Sequence, residues 1–203
     1  MTAVTVRSLD RRFGSTRVLI SLDLTVDAGQ HATITGSNGS GKTTLLRILA
    51  GLLRPTAGSV SVLGGTTDDP AVRARIGVIG HSPSLYARMT AAENIRFWAG
   101  VYGDSSAAAK GAELLSALGL NALDRRPVGS YSQGMRQRVS VARALATSPE
   151  LVLADEPFAG LDAAGAAAVE RLLSNVPTVV AATHESTRIG RTLVLRDGRL
   201  AAA

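Results

Sequence analysis

The chain has 203 residues, 45% of them hydrophobic, enough to bury one sizeable core, and it has no cysteine, which excludes a disulfide framework and a thiolate metal site. Its formal net charge is +6, yet the arginines are scattered from Arg7 to Arg199 and aromatics make up only 3%, so no nucleic-acid partner is expected. Arg7, Arg11 and Arg12 interrupt the early apolar residues before a signal-peptide core can form, and no window offers roughly 18 uninterrupted apolar residues, so a soluble protein is expected that meets a membrane only through a partner.

In chain order, the first informative segment is a β-rich run ending at Thr33-Ile34-Thr35 and breaking at Gly36. Gly36-Ser37-Asn38-Gly39-Ser40-Gly41-Lys42-Thr43-Thr44 then satisfies the G-x-x-x-x-G-K-[ST] phosphate-binding loop. Its glycines let successive N–H groups face inward, and the following helix adds its positive end. That helix is predicted over Thr44–Ala50, closed by Gly51. Lys42 is one of only two lysines, with Lys110, among 22 basic residues, which suggests a place needing a compact point charge. It is expected to reach the β- and γ-phosphates of a bound nucleotide, with the Thr43 hydroxyl on Mg²⁺.

A strand over Ile76–Ile79 precedes a mostly helical insertion, 81–148. Thr90-Ala91-Ala92-Glu93 reads as a capping box opening a helix to about Val101, Asp104-Ser105-Ser106 as the cap of another to Leu118, and Gln133 to Ala146 as a third helix. Ile95, Trp98 and Tyr102 fall on one helix face, which predicts core packing. Leu85 and Tyr86 lie in an apolar loop that either receives a partner helix or packs back on the insertion; both readings stay open. The buried-strand pattern Leu151-Val152-Leu153-Ala154 delivers Asp155 and Glu156, and Thr178-Val179-Val180-Ala181-Ala182 delivers Thr183 and His184. In an open α/β sheet these polar residues gather at one ligand-binding edge. Asp155 suits Mg²⁺, and Glu156 suits a general base acting on water.

Tyr131-Ser132-Gln133-Gly134-Met135-Arg136-Gln137-Arg138 resembles the signature of ATP-binding-cassette (ABC) proteins, usually LSGGQ. Asp155-Glu156-Pro157-Phe158-Ala159-Gly160-Leu161-Asp162 resembles that family's Walker B and D-loop, Thr183-His184 its switch histidine, and Phe13 the aromatic that stacks on adenine. The resemblance implies an α/β P-loop NTPase (RecA-like) core, about 1–80 and 149–203, with an antiparallel β edge and a helical subdomain, about 81–148, inserted in a single nucleotide-binding domain. It also implies a transport-coupled ATP hydrolase using ATP and Mg²⁺. Two subunits stack head to tail in such proteins, so Ser132, Gln133, Gly134 and Asp162 of one copy meet the nucleotide held by the other. The implied partners are a second ABC subunit, expected to be identical, and integral membrane subunits. The implied place is the cytoplasmic face of the cell membrane.

Two departures narrow the branch. His81, in Gly80-His81-Ser82-Pro83, stands where the family carries the Q-loop glutamine, and imidazole is a poor Mg²⁺ ligand, so His81 is expected to act through water or as a sensor. That form, together with Ile34-Thr35-Gly36-Ser37-Asn38-Gly39, resembles ATP-binding subunits of cytochrome c maturation haem exporters. The YSQGM signature recurs in drug or polymer exporter ATPases. Drug, lipid or polymer export, or a soluble iron-sulfur assembly type ATPase, are the alternatives.

Overall fold

A computed structural model describes residues 1–104, 106–184 and 189–202, with the side chain of Ala202 left aside. Two long strands, β1 (Thr2–Phe13) and β2 (Thr16–Asp27), form an antiparallel hairpin, and β4 (Ala57–Val62) pairs with β1 on its other side. The β2 sequence buries alternate residues, as a strand with one face on a core should. The second sheet has six strands: β5 (Ile76–Ile79), β6 (Leu151–Asp155), β7 (Thr178–Ala182), β3 (His31–Thr35), β8 (Arg191–Arg196) and β9 (Arg199–Ala202), neighbours in that order. All its pairings are parallel except β8 with β9.

β6 and β7 are buried at every residue because both faces of the parallel sheet are covered. Period-two alternation divides them cleanly. Leu151, Leu153, Val180 and Ala182 join the core beneath the antiparallel sheet with Leu9, Leu19 and the α1 (Lys42–Leu49) residues Leu45, Ile48 and Leu49. Val152, Ala154, Val179 and Ala181 face the helices α5 (Gln133–Ala146) and α6 (Ala163–Ser174), through Val141, Leu145, Val169 and Leu173. α2 (Pro70–Ala74), with Pro at its start and Asp69 as cap, covers the edge near β5.

The stretch between β5 and β6 carries α3 (Ala91–Val101), α4 (Ala107–Ala117) and α5, which pack on one another. The Thr90/Glu93 capping box forms in full: Thr90 Oγ1 accepts from Glu93 N–H at 3.2 Å, and a Glu93 carboxylate oxygen accepts from Thr90 N–H at 2.8 Å. At the next helix Asp104 does the capping, its Oδ1 accepting from Ser106 and Ala107 N–H at 2.9 and 3.2 Å, while the expected Ser105 lies outside the described residues. The phosphate-loop helix begins at Lys42, two residues earlier than its apolar spacing predicts.

One expectation is corrected. Of the Ile95, Trp98 and Tyr102 stripe only Ile95 is in the core; Trp98 is half-buried and Tyr102 exposed. The α3 face that meets α4 and α5 is Ala91, Ile95 and Ala99, closed by Gly111, where an added Cβ would lie 2.4 Å from Ile95 Cγ2. Trp98 is turned instead over the Arg143 guanidinium, 5.1 Å from its ring centre, and that arginine donates to Val78 O at 2.8 Å on edge strand β5. Burial lowers the Arg143 pKa.

Candidate nucleotide and catalytic site

Register brings three strand ends to one level. Ile34 of β3 and Asp155 of β6 both pair with Ala182 of β7, which lies between them. The segments that follow, Gly36 to Thr44, Glu156 and Thr183-His184, therefore emerge side by side at the carboxyl edge.

At the mouth of α1, Gly41 has φ +108°, and a Cβ there would meet Leu19 Cδ2 at 2.8 Å. Glycine is needed both for that backbone and for contact with the β1–β2 hairpin. Lys42 is 6% exposed and its Nζ donates to the carbonyls of Gly36 (2.7 Å) and Ser37 (3.1 Å), which draws the loop around the ammonium. No carboxylate pairs with Lys42 among the described residues, and Ser40 Oγ is buried there without a partner. A buried cation balanced only by carbonyls, at a helix start with no acidic residue in its first turn, suits a polyanion.

Thr43 Oγ1 donates to Asp155 Oδ2 at 2.7 Å. A hydroxyl and a carboxylate so placed are hard oxygen donors of the kind Mg²⁺ takes. Among the described residues no cluster of three or more His, Asp or Glu could form a cage, so Mg²⁺ would be completed by phosphate and water oxygens, as that ion prefers. The residues present fit the ion, which would supply neutralising charge at the phosphates.

Glu156 follows Asp155 with φ +51°, in the left-handed region, and its N–H donates to Ala182 O at 2.8 Å. A non-glycine residue held there costs on the order of 1 kcal/mol or more and persists where surroundings fix it. His184 Nε2 lies 3.1 Å from Glu156 Oε1. Asn38, Gly39, Ser40, Gly41, Lys42, Thr43, Thr44, His81, Asp155, Glu156 and His184 all line one cavity of about 630 Å³, joined by Val18 and Ala159. Gly36 and Ser37 do not line it; their carbonyls accept from Lys42, which does. His81 also lines an adjoining cavity of about 230 Å³ with Arg47 and Leu52, so it connects the phosphate loop to an exposed apolar rim.

The other candidates lie outside that cavity. Phe13, half exposed, ends β1 opposite Thr16 of the hairpin. Ser132 caps α5, its Oγ accepting from Met135 N–H at 3.2 Å; the hydroxyl proton stays available to donate. Gly134 packs on its own chain, where an added Cβ would meet Gly160 O at 2.6 Å, and the Gln133 side chain covers Gly160. Asp162 Oδ1 accepts from Gly165 N–H at 2.8 Å and so caps α6. Arg126 sits 5.5 Å over the Tyr131 ring, and burial raises the Tyr131 pKa.

Sequence reasoning missed Gln137. It is 3% exposed, and its Nε2 donates to the carbonyls of Glu156 (3.4 Å) and Pro157 (3.3 Å), tying α5 to the strained backbone of the candidate base. An amide on the apolar side of a basic helix was the available signal.

A sequence profile for the ABC transporter family matches residues 19–159. The lipoprotein-releasing system ATP-binding protein LolD 1 of Caulobacter vibrioides is 39% identical over 203 residues, covering 91% of this chain and 87% of that protein. The ABC transporter ATP-binding protein NatA of Bacillus subtilis is 40% identical over 168 residues, covering 78% and 68%. Among solved structures, the ATP-binding subunit of an ABC transporter superposes with TM-score 0.90 at 26% identity, over 99% of this chain and 90% of that one. The cassette MJ0796, in a dimeric post-hydrolysis state bound to ADP and Pi, gives 0.86 at 29% identity, over 97% and 96%. With the phosphate loop and paired carboxylates at one sheet edge, these likenesses make the chain a member of the ABC transporter family, its ATP-binding and ATP-hydrolysing subunit.

Proposed function

We propose that two copies of this chain clamp ATP head to tail and drive an exporter through separate integral membrane subunits, from the cytoplasmic face of the membrane. The observation that carries the reading is the division within one chain: Lys42, Thr43, Asp155, Glu156 and His184 share a cavity, and Ser132, Gln133 and Gly134 do not line it. The dimeric MJ0796 cassette bound to ADP and Pi supports the same arrangement. In this reading the loop N–H groups and Lys42 hold the phosphates, and Glu156 takes a proton from the water that attacks the γ-phosphorus. His184 keeps Glu156 and the water in line. The bridging oxygen leaves with ADP, and loss of the γ-phosphate removes the charge contacts that join the copies.

For cargo, the Gly80-His81-Ser82-Pro83 and Ile34-to-Gly39 segments support haem export in cytochrome c maturation. Relatives named for lipoprotein release, daunorubicin resistance and bacitracin transport favour a second reading, export of drug, lipid or polymer cargo. Tyr86, Phe97 and Tyr102, all exposed on or beside α3, support docking of a membrane subunit beside Leu85. Purifying the chain with its polytopic partners in lipid nanodiscs tests the cargo: haem should raise ATP turnover. Stimulation by lipoprotein or amphipathic drugs instead moves the assignment to the second reading, and soluble scaffold proteins in place of membrane partners overturn export.

A further inference from the structure

We propose that Arg11 is a positioning residue for the nucleobase, acting through Phe13; this rests on the reading of Phe13 as the base platform. The Arg11 guanidinium carbon lies 4.4 Å from the centre of the Phe13 ring. Its Nη1 donates to Arg54 O at 2.9 Å, across to the segment leading into β4. Its Nε is buried without a hydrogen-bond partner among the described residues, so the flat cation is committed to the ring and to one carbonyl. Phe13 keeps 48% of its surface exposed.

The two contacts have one physical outcome. A guanidinium stacked on an aromatic face fixes the ring against rotation and draws electron density toward itself, which leaves the opposite face the better partner for an electron-rich purine. The ring is carried to the right place by the hairpin: Phe13 pairs with Thr16, and Val18, two residues further, both lines the phosphate cavity and sits against Gly41 of the loop. Base and phosphate contacts are thereby mounted on one rigid ribbon. Arg11 selects which face of Phe13 is offered, and it favours purine over pyrimidine nucleotides.

The test separates base from phosphate by measuring binding of Mg-ATP, Mg-CTP and Mg-tripolyphosphate to the isolated chain. Phe13→Ala should weaken ATP about tenfold, the worth of one base stacked on an aromatic ring, and leave tripolyphosphate unchanged. Arg11→Met should weaken ATP by roughly two- to fivefold, narrow the ATP-to-CTP preference and spare tripolyphosphate, and Arg11→Lys should restore part of the loss. If Phe13→Ala acts as stated while Arg11→Met leaves ATP untouched, or weakens ATP and tripolyphosphate alike, the role of Arg11 is overturned and the platform stands. If Phe13→Ala leaves ATP binding unchanged, the platform fails and the Arg11 proposal with it. Unaltered tripolyphosphate binding in each variant reports that the loop is folded.

Discussion

The phosphate-loop half of the molecule and the signature half use the same device, a helix start with polar groups before it, and differ in what surrounds it. At α1 the start is enclosed: Lys42 is buried, Thr43 meets Asp155, and Glu156 and His184 close the wall. At α5 the start is open, with Ser132 exposed and Gly134 backed by Gly160 and Leu161 of its own chain. An enclosed terminus can bind a triphosphate alone, whereas an open one needs a ligand presented to it. The difference is what a site divided between two copies would require.

The most severe test of that contrast is Glu156→Gln. Turnover should fall by about 10² to 10⁴, or roughly 3 to 5 kcal/mol of barrier, while ATP still binds and the dimer accumulates. Steady-state hydrolysis with light scattering at saturating Mg-ATP measures both, and a monomer under those conditions breaks the comparison. Ser132→Ala comes next, with turnover lower by about ten- to hundredfold, as expected for one hydrogen bond to a charged group, and with the ATP affinity of the monomer unchanged. The lost cap should also cost about 1 kcal/mol of stability, read from urea unfolding. If monomer affinity falls in step with turnover, the open terminus belongs to its own chain's nucleotide.

The smallest effect concerns what holds the open half in place. Hydrogen bonds from Arg126, whose guanidinium also lies over the Tyr131 ring, depress the Asp124 pKa from 3.8 to about 2. A depressed carboxylate pKa stabilises the fold above the unfolded value and loses that contribution as pH falls through the folded one. The melting-temperature difference between the natural chain and Asp124→Asn should therefore be full at neutral pH, shrink as pH falls through 3.8 and vanish only below about 2. A difference that persists at the acid end would mean that packing, rather than the charge pair with Arg126, sets the contribution of Asp124.

What could be read from the sequence was local. The runs Leu151–Asp155 and Thr178–Ala182 are strands because both sheet faces are covered, and their polar ends meet because adjacent parallel strands finish at one level. The capping box at Thr90 needs only four residues to be recognised. What escaped was set by contacts far apart in the chain. Gly134 is small because Gly160 approaches it, Gln137 is buried because Glu156 and Pro157 offer carbonyls, and Trp98 leaves the core because Arg143 waits at a sheet edge. Helical spacing cannot distinguish Trp98 from Ile95. Only the direction from which α4 arrives does that.

Asn94 has a mechanical consequence. It is fully buried; its amide accepts from Tyr86 N–H at 2.7 Å and donates to the carbonyls of Tyr86, Met89 and Thr90 at 3.2, 3.4 and 2.9 Å. Residues 86–90 are thus tied to α3, and the run from His81 to Leu85 is the short stretch of chain between that unit and the nucleotide cavity. A load taken up at Tyr86 would therefore be carried by α3 as well, rather than by the loop alone.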